Sequence, residues 1–265
     1  MQLGGSTALL TGATGGIGQA IARALRARGA RVLLSGRRSE VLEELRAELG
    51  DGAEALAADL TVAADTAALA ERSRDADALV ANAGLPAGGR LDDFSPEEID
   101  RVLDVNLRAP LQLARALLPG MLERGRGHLV FVSSLQGKVA TVRSSLYSAT
   151  KFGLRGFAGG LREDLHGSGV GVSVVFPGFV SGAGLYADAG VELPRWVGTS
   201  TPEQVAAAVV RGIETGKAEL DVAPLHLRAG ALLASVAPIP SARVQRLLGS
   251  ERLADAIARG QRSKR

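Results

Sequence analysis

The sequence predicts a doubly wound α/β fold: a parallel sheet of about seven strands with helices on both faces. Three observations lead there. Short apolar runs alternate with helix-period segments from the first residues onward, and no linker, repeat or low-complexity tract interrupts residues 1–225. Of the 265 residues, 46% are hydrophobic and 22% charged, enough to bury one large core. Short apolar strands separated by helices imply right-handed crossovers, and hence a parallel sheet covered on both sides.

The elements follow in order. Thr7-Ala8-Leu9-Leu10 reads as a buried strand, Gly16 to Arg28 as a helix, and Arg31 to Ser35 as a second strand. Ser39 is placed to cap the next helix, in which Val41, Leu42, Leu45 and Leu49 share one apolar face. A strand at Glu54 to Ala58, a helix at Ala64 to Arg74 and a strand at Asp77 to Ala81 come next. Ser95-Pro96-Glu97-Glu98 combines a capping serine, a first-turn proline and the glutamate of a capping box. The helix it starts is expected to run past Asn106 and to bend near Pro110 on its way to Leu122. His128 to Val132 is the fifth strand, Ser145 to Leu165 a long helix and Val170 to Phe176 the sixth strand. Thr201-Pro202-Glu203 opens another helix by the same cap-plus-proline logic, and Glu219 to Val222 is the seventh strand.

Composition removes several functions. Without cysteine there is no disulfide, thiolate metal site or cysteine nucleophile. The three histidines, His128, His166 and His226, are far apart in sequence, so no metal site is expected. A net charge of +3 and 3% aromatic residues fit neither a nucleic-acid patch nor a base-stacking platform. The first residues lack the basic and apolar stretches of a signal peptide, and no apolar run approaches the roughly 20 residues of a membrane span. A soluble, cytoplasmic protein is expected.

Chemistry enters at Thr11-Gly12-Ala13-Thr14-Gly15-Gly16-Ile17-Gly18, between the first strand and the first helix. Gly12 permits a tight turn, and the missing side chains at Gly16 and Gly18 allow backbone to approach a ligand and helix to approach strand. The helix start then offers free N–H groups to a pyrophosphate. After the second strand, where an NAD site usually carries an acid for the ribose hydroxyls, stands Gly36-Arg37-Arg38. Guanidinium groups can hold a 2′-phosphate that a carboxylate would repel, so NADP(H) is favoured over NAD(H). The plainer reading is two solvated arginines ahead of a surface helix.

Tyr147 and Lys151, four residues apart at the start of the long helix, share one face. A free phenol has a pKa of about 10 and exchanges protons poorly near neutrality. A neighbouring ammonium favours the phenolate and brings that transfer into range. The plainer alternative is a tyrosine packed on a lysine stem.

These motifs together resemble a short-chain dehydrogenase/reductase of the compact type, with a Rossmann-type sheet. The family's glycine motif matches Thr11 to Gly18, its Asn-Ala-Gly matches Asn82-Ala83-Gly84, and its Asp-Leu pair after the third strand matches Asp59-Leu60. Its helix asparagine matches Asn106, its serine Ser134, its Tyr-x-x-x-Lys pair Tyr147 and Lys151, and its Pro-Gly Pro177-Gly178. The likeness covers roughly residues 5–225, with every motif in family order. It implies Asn106, Ser134, Tyr147 and Lys151 as catalytic residues. It also implies cofactor contacts at Gly12, Thr14, Gly16, Ile17, Gly18, Arg37, Arg38, Asp59, Leu60, Asn82, Ala83, Gly84, Tyr147, Lys151, Pro177, Gly178 and Val180. In that scheme Tyr147 exchanges the proton, Lys151 lowers its pKa, Ser134 holds the substrate oxygen, with Ser133 the weaker candidate, and Asn106 positions a water leading from Lys151 to solvent. No metal is needed.

Two regions depart from the family pattern. Where many members have a nicotinamide-binding threonine stands Gly182, with Ser181 beside it, so either Ser181 or the backbone must serve. Gly182 to Ser200 reads as a flap, with Tyr186 and Pro194-Arg195-Trp196; Trp196 either lines the pocket or anchors the flap. Residues 1–225 form the catalytic domain, and 226–265 a helical arm on the same domain, in place of the glycine-rich ending of sugar and acyl-thioester reductases. The arm looks more like the branch acting on hydrophobic alcohols and ketones. It can pack over the pocket, form a subunit contact in a homodimer or homotetramer, or lie weakly on a membrane surface with Arg243, Arg246, Arg252 and Arg259 toward anionic lipid. The expected partner is a small alcohol or carbonyl substrate, with no nucleic acid. A non-catalytic dinucleotide-binding regulator is the alternative, and sugar-nucleotide epimerase chemistry a more distant one.

Overall fold

The structure, a computed structural model, describes residues 1–184, 190–191, 197–247 and 250–261. Its centre is a seven-stranded sheet: β1 (Thr7–Thr11), β2 (Arg31–Gly36), β3 (Ala53–Ala57), β4 (Ala78–Ala81), β5 (Gly127–Val132), β6 (Val170–Pro177) and β7 (Glu219–Val222). Every pairing is parallel and the spatial order is β3-β2-β1-β4-β5-β6-β7. This is the doubly wound, Rossmann-type sheet that the alternation of apolar runs predicts.

Register explains why the strands read as continuous apolar runs. Leu9 stands opposite Leu33 and Leu79, while Leu10 stands opposite Leu34 and Val80. The pleat sends these two sets to opposite faces, so both must be apolar. On one face Leu9, Leu79 and Phe131 pack with helices α3 (Ala63–Arg72), α5 (Ala109–Glu123) and α6 (Ser145–Asp164). On the other, Leu10, Val80 and Val130 pack with α1 (Gly16–Ala27), α2 (Ser39–Leu49) and α7 (Pro202–Thr215).

Two helix starts form as their sequences dictate. Ser95 caps α4 (Pro96–Leu103) in a reciprocal box with Glu98, and Thr201 caps α7 in the same way with Gln204. Ser39 does not cap α2. It is the first helical residue, Arg38 occupies the cap, and no side chain bonds the free N–H groups there. The helix expected through Asn106 runs on without a gap from α4 into α5, with a π-helical turn at Asp104–Arg108 where a bend was expected. Proline explains the turn: Pro110 has no N–H to give the Asn106 carbonyl four residues back, so the regular α-ladder is interrupted there.

The arm is three helices, α8 (Leu225–Val236), α9 (Pro238–Leu247) and α10 (Ser250–Gln261). Helix α10 docks beside the loop after β4: the Arg143 guanidinium donates to Asp255 at 2.7 Å, and Gln261 and Ala258 lie against Gly88. Among the described residues, no helix is long and apolar enough to cross a membrane.

Candidate active site

The strand order reverses between β1 and β4, and a crevice forms outside the carboxyl ends of the strands at such a point. A cleft of about 1360 Å³ opens there. That exceeds the roughly 300–1,000 Å³ of a pocket for one small ligand, so there is room for two.

At its inner end the glycine loop is tightly built. Gly12 has φ +68°, and a Cβ there would lie 2.8 Å from Ala83 Cα. A side chain on Gly18 would fall on the Gly12 carbonyl, which is how the loop folds under the start of α1. Thr11 and Asn82 lock the loop to the end of β4. The Thr11 hydroxyl accepts from the N–H groups of Asn82 and Ala83, both at 3.1 Å, and the Asn82 amide donates to the Thr11 and Gly12 carbonyls. Helix α1 begins at Gly16 with no side-chain cap and no acid in its first turn. Its first N–H groups are therefore left for an anion. Thr14, Gly16, Ile17 and Gly18 all line the cleft beside them.

Next to this loop stand Arg37, Arg38, Asp59 and Leu60. The Arg38 side chain folds back to donate to the Thr14 carbonyl. Arg37 is exposed and has no hydrogen-bond partner among the described residues. Burial pushes the Asp59 carboxyl upward, but the Thr61 N–H and hydroxyl, with the charges of Arg37 and Arg101, hold it below the usual carboxylate range. The donor set therefore suits an anionic dinucleotide: backbone N–H groups for the pyrophosphate and a free guanidinium at the ribose end.

Farther along, the carboxyl end of β5 meets the first turns of α6. Ser134 caps a short turn at Leu135–Gly137, accepting from the Gln136 N–H at 3.2 Å, and it lines the cleft together with Tyr147. The Lys151 ammonium lies 5.5 Å from the centre of the Tyr147 ring and donates to the Val132 carbonyl at 3.1 Å. Ser133 is different: it is buried and its hydroxyl donates to the Lys151 carbonyl at 3.0 Å, so it ties α6 to β5.

Burial dominates the titration of both groups. It pulls the Lys151 ammonium down to about 8 and pushes the half-buried Tyr147 phenol up to about 12, against the Ser134 side chain, which favours the phenolate. The acidification of Tyr147 by Lys151 expected from the spacing is not what the protein's own groups produce. They keep the phenol protonated at neutral pH.

Asn106 alone among the expected residues lies behind the cleft wall. It is wholly buried, its side-chain oxygen accepts from the Leu85 N–H at 2.6 Å, and its amide donates to the Leu85 carbonyl at 2.9 Å. Both ends of the side chain are thus spent holding the loop that carries Asn82, Ala83 and Gly84. Pro177, at the end of β6, and Gly178 and Val180 after it line the cleft. Ser181 does not line the cleft, and its hydroxyl donates to the Ser200 carbonyl at 3.2 Å. Of the two candidates for the threonine's place, only the backbone by Gly182 stays on the cleft. Tyr186 and Pro194-Arg195-Trp196 lie outside the described residues.

Of the three readings of the arm, packing over the pocket, at the outer half of the cleft, is the one seen here, and Arg143 beside it had no signal in the sequence. Arg143, the one described non-glycine residue with positive φ (+58°), sits there with Leu227, Leu233, Val244, Leu253 and Ile257 of the arm. The apolar spacing of the arm was visible in the sequence, but not which way it turned.

The short chain dehydrogenase family model matches residues 6–189. The chain is 39% identical over 227 residues to the ketoacyl reductase HetN of Nostoc sp., covering 83% of this chain and 79% of that protein. It is 38% identical over 179 residues to the NADP-dependent 3-hydroxy acid dehydrogenase YdfG of Salmonella typhi, covering 66% of this chain and 72% of the other. Among solved structures, a short-chain dehydrogenase from Sphingobium yanoikuyae in complex with NADPH superposes with a TM-score of 0.77 at 30% identity, covering 92% of this chain and 95% of that one. A doubly wound sheet with this cleft and these likenesses places the chain in the short-chain dehydrogenase/reductase family, as an oxidoreductase.

Proposed function

We propose that the protein interconverts a carbonyl and an alcohol on an apolar small molecule, using NADP(H) and Tyr147 as the proton-exchanging group. The observation that carries this reading is the grouping of Ser134, Tyr147 and Lys151, with the Lys151 ammonium 5.5 Å from the Tyr147 ring centre, in the same cleft as an anion-ready glycine loop.

The nicotinamide cofactor supplies or takes up the hydride when bound. The rest falls to the chain's own side chains. With its phenol protonated, Tyr147 is in the form that gives a proton to a carbonyl oxygen during reduction. The Ser134 hydroxyl shares the same position and would hold that oxygen in line. Lys151, charged at neutral pH and tethered to the Val132 carbonyl, favours the phenolate left behind. Asn106 is then a positioning residue, holding Leu85.

NADP(H) is preferred to NAD(H) in this reading because Arg37 is free at the ribose end, where an acid would otherwise stand. The NADP-dependent and NADPH-bound relatives accord with it. An apolar substrate is favoured by the arm's leucines, valine and isoleucine along the outer cleft. The one cation there, among the described residues, is Arg143, which is already paired with Asp255. A homodimer or homotetramer is the form that the family likeness suggests.

Tyr147→Phe tests the assignment. The variant should still bind NADPH, read by cofactor fluorescence, and oxidise none of it across a panel of apolar ketones and aldehydes that the parent reduces. Turnover that survives the change removes Tyr147 from the chemistry. A parent enzyme silent on the whole panel favours a dinucleotide-binding regulator instead.

A further inference from the structure

Helices α8 and α9 are built inside out. In α8 the buried residues are the small Ala231 and Ala234, while Leu225, Leu232, Leu233 and Val236 are exposed. At 100° per residue Leu225, Leu232 and Val236 fall within about 40° of one another, a single outward stripe. In α9 Ile239, Val244 and Leu247 are exposed as well. Seven of the eleven large exposed hydrophobic side chains of the described residues thus lie between Leu225 and Leu247. A helix that merely closed a pocket would turn its leucines inward and its alanines out.

The charge around this face has one sign. No carboxylate occurs between Asp221 and Glu251. From Leu225 onward the chain has eight cations and two carboxylates, a surplus of six; since the whole chain is +3, the first 224 residues are net −3. Arg243 and Arg246 stand exposed on α9, and neither has an ion-pair partner among the described residues.

We propose that the α8–α9 face docks the protein on an anionic lipid surface, with the leucine stripe in the acyl boundary and Arg243 and Arg246 at the phosphates. A second copy of the chain suits the face less well. A two-fold contact sets a patch against itself, and here that would bring arginines to arginines with no acid in either patch. Leu233 and Val244 belong both to this face and to the cleft wall, so the cleft opens beside the docked surface. The docking itself does not depend on the reaction proposed above.

Co-sedimentation of the full chain with vesicles tests this. The chain should pellet with phosphatidylglycerol–phosphatidylcholine vesicles and stay in solution with phosphatidylcholine alone. The double change Arg243→Glu with Arg246→Glu should weaken binding by at least about 25-fold, at about fivefold for each cation lost. Leu232→Asp with Val236→Asp should abolish it, with far-ultraviolet circular dichroism unchanged because both residues are exposed. Leu122→Asp, an exposed apolar position on α5, should leave it intact. Equal binding to neutral vesicles, or indifference to the arginine changes, overturns the proposal. So does absence of binding, whether the chain is then a monomer by sedimentation velocity or a dimer that Leu232→Asp with Val236→Asp dissociates; the dimer would assign the face to a second copy.

Discussion

Lys151 should make the fold less stable than it need be, and replacing it with methionine exposes the cost. The side chain is 4% exposed, its ammonium makes a single hydrogen bond, to the Val132 carbonyl at 3.1 Å, and burial holds its pKa at about 8 instead of 10.5. Between those two values the unfolded chain binds more protons than the folded one, so stability rises with pH across that window and is lowest below it. The interval corresponds to about 3 kcal/mol lost at neutral pH by folding around the charge. Lys151→Met recovers that and forfeits the bond to Val132, roughly 1 kcal/mol. The net gain is about 2 kcal/mol, or a urea midpoint about 1 M higher at neutral pH. Above a pH of about 10.5, where the lysine is neutral in both states, the advantage should vanish and turn into a loss of roughly 1 kcal/mol. Urea titrations of parent and variant at neutral and at strongly alkaline pH give both numbers. A methionine variant less stable at neutral pH, or a difference that does not change with pH, would refute the reasoning.

Activity should follow the same group. Carbonyl reduction should fall as pH rises through about 8, as Lys151 loses its charge, with no further loss from Tyr147 before about 12; in Lys151→Arg, whatever its rate, a pH profile of kcat should no longer bend there. Arg37→Ala should weaken NADPH binding by about 10–100-fold and leave NADH binding nearly unchanged, the loss of one charge-assisted contact, measured by fluorescence titration. Gly12→Ala combines a left-handed backbone with a methyl group 2.8 Å from Ala83 Cα, so calorimetry should show at least about 2 kcal/mol of lost stability and NADPH binding should be gone. A double-mutant cycle on Arg143 and Asp255, a partly exposed pair, should return a coupling of about 0.5–1 kcal/mol in urea unfolding.

What could be read from the sequence was local and repetitive. The two-residue pleat, shared between two buried faces, forces continuous apolar strands, so seven of them could be counted without coordinates. Ser95 and Glu98 make a cap from their own spacing, and no distant contact needs to be known. Ser39 has the right residue type but stands one position too late, because where α2 begins depends on how β2 delivers the chain past Arg37 and Arg38. The candidate site followed the same division. Glycines that touch backbone within one loop, or a tyrosine and lysine one turn apart, declare themselves. The partner of Asn106 does not, because both ends of its side chain bond Leu85, twenty-one residues away in sequence. Nor could spacing reveal that burial pushes the Tyr147 phenol upward.

The arm marks where this kind of legibility ends. Its helical periodicity shows that one face of each helix is apolar, and periodicity is indifferent to which face the protein body takes. In α8 the body takes Ala231 and Ala234, Ala231 lining the cleft, while Leu225, Leu232 and Val236 are left outside. The start of the helix is held where the Val197 carbonyl meets the His226 ring at 3.1 Å. The matched family model stops at residue 189, ahead of this arm. Tyr147 and Lys151 thus sit in the part of the chain that the family model matches, while the outer wall of the cleft rests on helices whose orientation only the three-dimensional structure reveals.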